Sequence, residues 1–157
     1  MKRRSAIRAA AALVLFLLLA LPAWAAGGGD AELSDNKSGT FKAGYKAVKE
    51  KDYRAAIDWM SKAVAENPKD ADAFNYLGYA HRKLGDFDNA LKYYGRALEL
   101  DPEHRGAHEY LGEALLELHR PDEAKQHLAA LDKICWLSCE EYRDLKKAVA
   151  KYEQAPK

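Results

Sequence analysis

The sequence holds only two cysteines, Cys135 and Cys139, and it lacks a nucleophile elbow, a glycine-rich phosphate cradle, an EF-hand loop and an HExxH zinc motif. No constellation of catalytic residues stands out, so no enzyme activity, cofactor or metal is expected. No segment reads as a strand, which excludes the β and α/β classes. An excess of positive charge is missing as well. Lysines and arginines number 25 against 24 acids, a formal charge of +1, where binding to nucleic acid or an anionic membrane surface would favour a basic patch.

One long apolar run is present, and it lies at the start. Met1-Lys2-Arg3-Arg4 precedes apolar residues 9–21, which lead into Pro22-Ala23-Trp24-Ala25. A basic start, an apolar stretch too short to span a bilayer comfortably and an Ala-x-Ala site predict a secretory signal peptide over residues 1–25, cut after Ala25. The alternative is an uncleaved N-terminal anchor. The signal carries Lys2, Arg3, Arg4 and Arg8 and no acid, so its loss takes the formal charge from +1 to −3. A periplasmic or secreted protein follows, with no stable membrane insertion once the signal is removed. Residues 26–38 are polar, Gly-rich and aperiodic and read as a flexible leader.

Beyond residue 38 the apolar positions recur with a 3.6-residue period. Helices are predicted over residues 39–50, 53–66, 71–84, 87–100, 105–118, 121–133 and 139–152. Asp52 and Asp86 are candidate N-caps, and Pro121 suits a first helical turn. Gly85-Asp86 supplies a turn, and Asp101-Pro102 stops the preceding helix. Gly44, Gly78 and Gly112 recur at one constant interval inside helices. Each costs about 1 kcal/mol against alanine, so their recurrence implies close helix packing that offsets it. Ala90 is expected at the same close contact, with Leu77, Leu84, Phe87, Leu91, Tyr94 and Leu98 filling the space around it. In the last helix Tyr142, Leu145 and Val149 form one apolar stripe on an otherwise charged surface, as the end of an open helical stack requires.

Phe74, Leu77, Gly78 and His81, followed by Ala90, Tyr94, Ala97 and Pro102, match the pattern W-x2-L-G-x2-Y…A…F…A…P with only the histidine departing much. Shifting the pattern by the interval between those glycines recovers Gly44, Ala56, Met60, Ala63 and Pro68 upstream, and His108, Leu111, Gly112, Ala124 and Leu128 downstream. The chain thus resembles the tetratricopeptide repeat (TPR) family, and residues 131–145 resemble the tail of small exported bacterial TPR proteins. The resemblance implies an all-α, right-handed α-solenoid: repeats at about 37–70, 71–104 and 105–138, a capping helix at 139–152 within a domain 39–152, and a tail at 153–157. It also implies an adaptor or scaffold that binds a protein or peptide partner along the first helices of its hairpins. On this chain that groove would be lined by Phe41, Lys42, Tyr45, Asn75, Tyr76, Tyr79, Arg82, Glu109, Tyr110 and Glu113. The family's carboxylate clamp needs basic or amide side chains where this chain has Phe41, Tyr45, Tyr76, Gly106 and Tyr110, so a C-terminal carboxylate is not the expected ligand.

In an exported protein a close, even cysteine pair is most simply a disulfide, so Cys135 and Cys139 are expected to bond and to pin the last helix. The alternative makes them the working pair of a metal- or redox-handling accessory protein. His104 and His108 have the i, i+4 spacing that can hold a metal, yet His108 stands where the repeat packs a large residue. His81 also replaces a packing aromatic, and His119 and His127 carry no pattern.

Overall fold

The computed structural model describes residues 36–155; the expected signal peptide, the first ten residues of the expected leader and the last two of the tail lie outside them. Seven α-helices follow one another: α1 Gly39–Lys49, α2 Tyr53–Glu66, α3 Ala71–Lys83, α4 Phe87–Leu100, α5 Arg105–Glu117, α6 Pro121–Ile134 and α7 Glu140–Gln154. The described residues contain no strand. Predicted and observed boundaries agree to within two residues at each end.

Local chemistry explains the boundaries. Ser38, Asp52, Asp70, Asp86 and His104 each accept a hydrogen bond from a first-turn backbone N–H, satisfying donors the helix itself leaves over. Ser38 and Lys37, read above as leader, are held in place: Lys37 Nζ lies 2.7 Å from both Asp70 and Asp72. Lys51, Gly85 and His119 occupy the equivalent place after the first helix of each hairpin, and all three have positive φ (61°, 80° and 58°). The repeat therefore imposes a left-handed residue at this turn, and only one repeat meets it with glycine. The second helices α2, α4 and α6 end on Asn67, Asp101 and Cys135, all extended. Proline follows the first two and enforces that conformation. Trp136 follows the third, and there a disulfide joins Cys135 to Cys139, with Cα atoms 5.5 Å apart.

Helices pair as hairpins α1–α2, α3–α4 and α5–α6, and the first helices contact one another in the order α1, α3, α5, α7. Ala56, Ala90 and Ala124, at equivalent places in the three repeats, are completely buried at the hairpin contacts. A Cβ on Gly44 would meet Met60 at 2.9 Å, and one on Gly78 would meet the Tyr94 ring at 2.6 Å. At Gly112 the obstructing residue is Leu145 of α7, also at 2.6 Å, so there the last helix, rather than the second helix of the same hairpin, closes against the glycine. Leu145 and Val149 are buried there with Leu115, Leu116, Ala124 and Leu131, and Tyr142 packs against the cluster. Leu84, expected in the core, caps α3 and is 47% exposed, because the left-handed turn at Gly85 ends the helix before that face turns inward.

The histidines separate. His104 accepts from Ala107 N–H with Nδ1 and donates from Nε2 to Asp72 at 3.0 Å, while His108 turns the other way to His127 on α6, Nδ1 to Nδ1 at 2.9 Å. The i, i+4 pair is therefore not a metal site. Burial and then His108 push His127 down to about 4, with Glu123 opposing. A base whose folded value lies below its unfolded value of about 6.5 adds stability that is complete above that pH and is lost as pH falls through about 4. Allowing for its partial exposure, about 1–2 kcal/mol should disappear between pH 6.5 and 4. His127→Gln should flatten the melting-temperature profile over that interval; a slope unchanged from wild type would assign the acid sensitivity elsewhere.

Candidate functional site

The face formed by α1, α3, α5 and α7 gathers most of the residues expected to line a groove, but it sorts them into three kinds. Phe41 is 1% exposed, packed in the core against Tyr76, with ring centroids 5.9 Å apart. It offers a partner no surface, which corrects its assignment to the groove. Asn75 is corrected likewise: it is 4% exposed, its side-chain nitrogen lies 3.1 Å from where a Cβ on Gly106 would stand, and its Oδ1 has no hydrogen-bond partner. Arg82 is 5% exposed and already engaged, pairing with Glu113 at 2.7 Å and Glu117 at 2.8 Å. Its guanidinium lies 5.5 Å from the Tyr79 ring centre and 5.8 Å from that of Tyr110. It positions those rings rather than meeting a ligand.

The tyrosines bridge between first helices. Tyr45 and Tyr76 meet edge to face at 5.3 Å, and Tyr79 and Tyr110 lie tilted to each other at 4.9 Å. Successive first helices are joined by large side chains because an aromatic ring fills the space between helices whose axes lie about 8–10 Å apart. Tyr110 also packs against the buried Ala90–Tyr94–Ala114 cluster. Burial, and for Tyr110 the adjacent Glu109 carboxyl, hold the Tyr76 and Tyr110 hydroxyls well above the usual phenol range. Tyr79 keeps more exposure, although Tyr53 of α2 contacts it at 6.1 Å. Lys42 is exposed, and Tyr45 and Glu113 are half-buried.

Glu109 stands apart. Its half-buried side chain makes no hydrogen bond or ion pair to another side chain among the described residues. Burial first, and then Glu113, Asp144 and Glu141, push it up to about 8. Two of those neighbours, Glu141 and Asp144, belong to α7 and were absent from the expected site. The only signal for them was the charged side of the last helix, which reads equally well as a solvated surface. Only the stacking of α7 against α5 brings them to Glu109.

At the α6–α7 joint Trp136 and Leu137 are 92% and 84% exposed. The sulfurs of Cys135 and Cys139 and a Glu141 carboxylate oxygen lie within 4.8 Å of one another. While the sulfurs are bonded to each other they are not thiolate ligands.

Residues 71–104 match the tetratricopeptide repeat family model. No curated protein matches the chain. Among solved structures, the TPR2B domain of yeast Sti1 in its pHsp70 complex superposes with a TM-score of 0.68 at 20% identity, over 73% of this chain and 94% of that one. The first TPR domain of Spaghetti (RPAP3) bound to the HSP90 peptide SRMEEVD gives 0.65 at 22%, with the same coverage. MamA AMB-1 gives 0.56 at 26%, over 64% of this chain and 59% of that one.

Proposed function

The chain belongs to the tetratricopeptide-repeat proteins, and from that membership and its first-helix face we propose an exported adaptor that binds a basic segment of a partner protein; its work is binding rather than catalysis. Domains of the same fold hold protein peptides, as their complexes with pHsp70 and the HSP90 peptide illustrate, which supports a protein ligand in general. The observation that carries the specific reading is Glu109, a half-buried carboxyl with three further acids around it. Retaining such a group costs the isolated fold stability, since its folded value lies above the usual 4.5, and the loss grows as pH rises through that range to about 8. A lysine or arginine from a partner would relieve it. Tyr45 and Tyr79 supply amphipathic contact area beside it at low entropy cost. The peptide SRMEEVD carries acids toward its end; this face would repel them, and the chain lacks the basic clamp such a terminus needs.

Affinity capture from cell envelope with the chain lacking residues 1–25 tests the reading. Glu109→Lys and Tyr79→Ala should each reduce recovery of the partner at least tenfold while the helical circular dichroism signal stays near wild type. Lys92→Ala and Lys125→Ala, on second helices, should change nothing. Retained capture by both face variants would place the binding surface elsewhere. Recovery should also fall with added salt, as basic-on-acid recognition does.

Export and the cysteine pair are checked together by intact mass. Envelope material should begin near Ala26 and weigh two hydrogens less than the dithiol. Replacing both cysteines with serine should cost about 2 kcal/mol, since the closed loop is short, and leave capture intact. The approach of Glu141 to both sulfurs favours one alternative, a metal- or redox-handling role for the reduced pair. Titratable thiols or co-purified copper or zinc would bring it forward, and a full-length mass would favour a retained anchor.

A further inference from the structure

We propose that His108 and His127 form a binding site for a divalent transition-metal ion of the zinc or nickel class, which would staple α5 to α6. The two rings converge from different helices, Nδ1 to Nδ1 at 2.9 Å. His108 Nε2 lies 3.0 Å from the Pro102 carbonyl oxygen. A carbonyl can only accept, so Nε2 carries the proton and the lone pair of Nδ1 faces His127. Imidazoles that bind metals are oriented in this way, the second nitrogen donating to a carbonyl. His127 donates its Nδ1 proton across the gap. Moving that proton to its own Nε2 through solvent exposes a second lone pair, with no net change in charge and no oxidation or reduction.

An ion at about 2.0–2.1 Å from each nitrogen in tetrahedral geometry needs them roughly 3.3 Å apart, so the rings must part by a few tenths of an ångström. His127 can supply this because it is half-buried on α6 rather than locked in the core. Glu123, one helical turn before His127, is the carboxylate that acts on that ring electrostatically. It is exposed and held by Arg120 through two bonds of 2.7 Å, a surface pairing that an ion can compete for. Water completes the coordination. The other histidines are differently employed: His81 faces Asp86 at 2.9 Å, His104 caps α5, and His119 faces Tyr152 at 3.2 Å.

The test titrates zinc chloride or nickel chloride into the purified, oxidised protein at pH 7.5 while imidazole resonances are followed by NMR. With zinc, the His108 and His127 ring signals should shift together and saturate at one equivalent, leaving His81, His104 and His119 in place; nickel should broaden the same pair first. His127→Gln should weaken zinc binding about tenfold or more, the order of loss expected when one element of a metal site is removed. A uniform response of all five histidines would overturn the proposal. So would undiminished affinity in His127→Gln, or no saturable response in the wild type. Because the wild-type spectra report the site directly, the test does not depend on the variant's folding.

Discussion

Gly78→Ala is expected to lower stability by about 1–2 kcal/mol, or roughly 5–10 °C in melting temperature, although alanine is the better helix former by about 1 kcal/mol. A Cβ at residue 78 would stand 2.6 Å from Cδ1 and 2.7 Å from Cε1 of Tyr94. That ring is fully buried and cannot swing aside, so overpacking of about 1–3 kcal/mol, near its upper end here, outweighs the propensity gain. The mechanism has a signature. In a Tyr94→Leu background the same substitution should be neutral or stabilising, with a coupling energy on the order of 1–2 kcal/mol in the double-mutant cycle. Gly44→Ala should be milder, because its neighbour is the flexible Met60 side chain at 2.9 Å. Thermal melts of the wild type, the three other members of the cycle and Gly44→Ala decide the matter; equal losses at Gly44 and Gly78, with no coupling to Tyr94, would mean the glycine contacts are not what holds the hairpins close. Ala90→Leu tests the same hairpin interior from the facing helix, where the site is completely buried.

Ending the chain after Ser138 should destabilise the domain still more. Helix α7 buries Leu145 completely and Val149 nearly so, and it packs Tyr142, Ala148 and Tyr152 against Leu115, Leu116, Ala124 and Leu131. Each fully buried aliphatic contributes about 1.5–3 kcal/mol, so removing two of them and half of three others approaches the total stability of a small domain, about 5–15 kcal/mol. The truncated chain should lose its cooperative melt or begin it tens of degrees lower, and it should expose apolar surface that promotes association. Leu145→Ala alone should cost about 3 kcal/mol, because its side chain fills the space above Gly112. A truncated protein that melts like wild type would show α7 to be an appendage. Truncation also takes away Glu141 and Asp144, which should bring Glu109 back toward its ordinary range and weaken a basic partner.

The order and type of the helices and their joints were set by local chemistry that any stretch of the chain carries on its own. Apolar periodicity, Asp52 and Asp86 as caps, Pro68 and Pro102 as stops, and the evenly spaced Gly44, Gly78 and Gly112 each act within a turn or two of helix, so they survive in the linear sequence. Cys135 and Cys139 likewise lie only four residues apart. Residue by residue, the candidate site was not. Phe41, Asn75 and Arg82 occupy positions on first helices that could equally face outward, and only the approach of the next hairpin determined that they would be sealed in. The partnership of His108 with His127, separated by 19 residues, and the acids that α7 brings to Glu109 arise where two helices meet across a distance that no local pattern encodes. Composition and spacing decide what each helix can bury; which side chains meet, and which carboxyl gathers further acids around it, is decided only when the hairpins stack, because burial and electrostatic energy depend on neighbours in space.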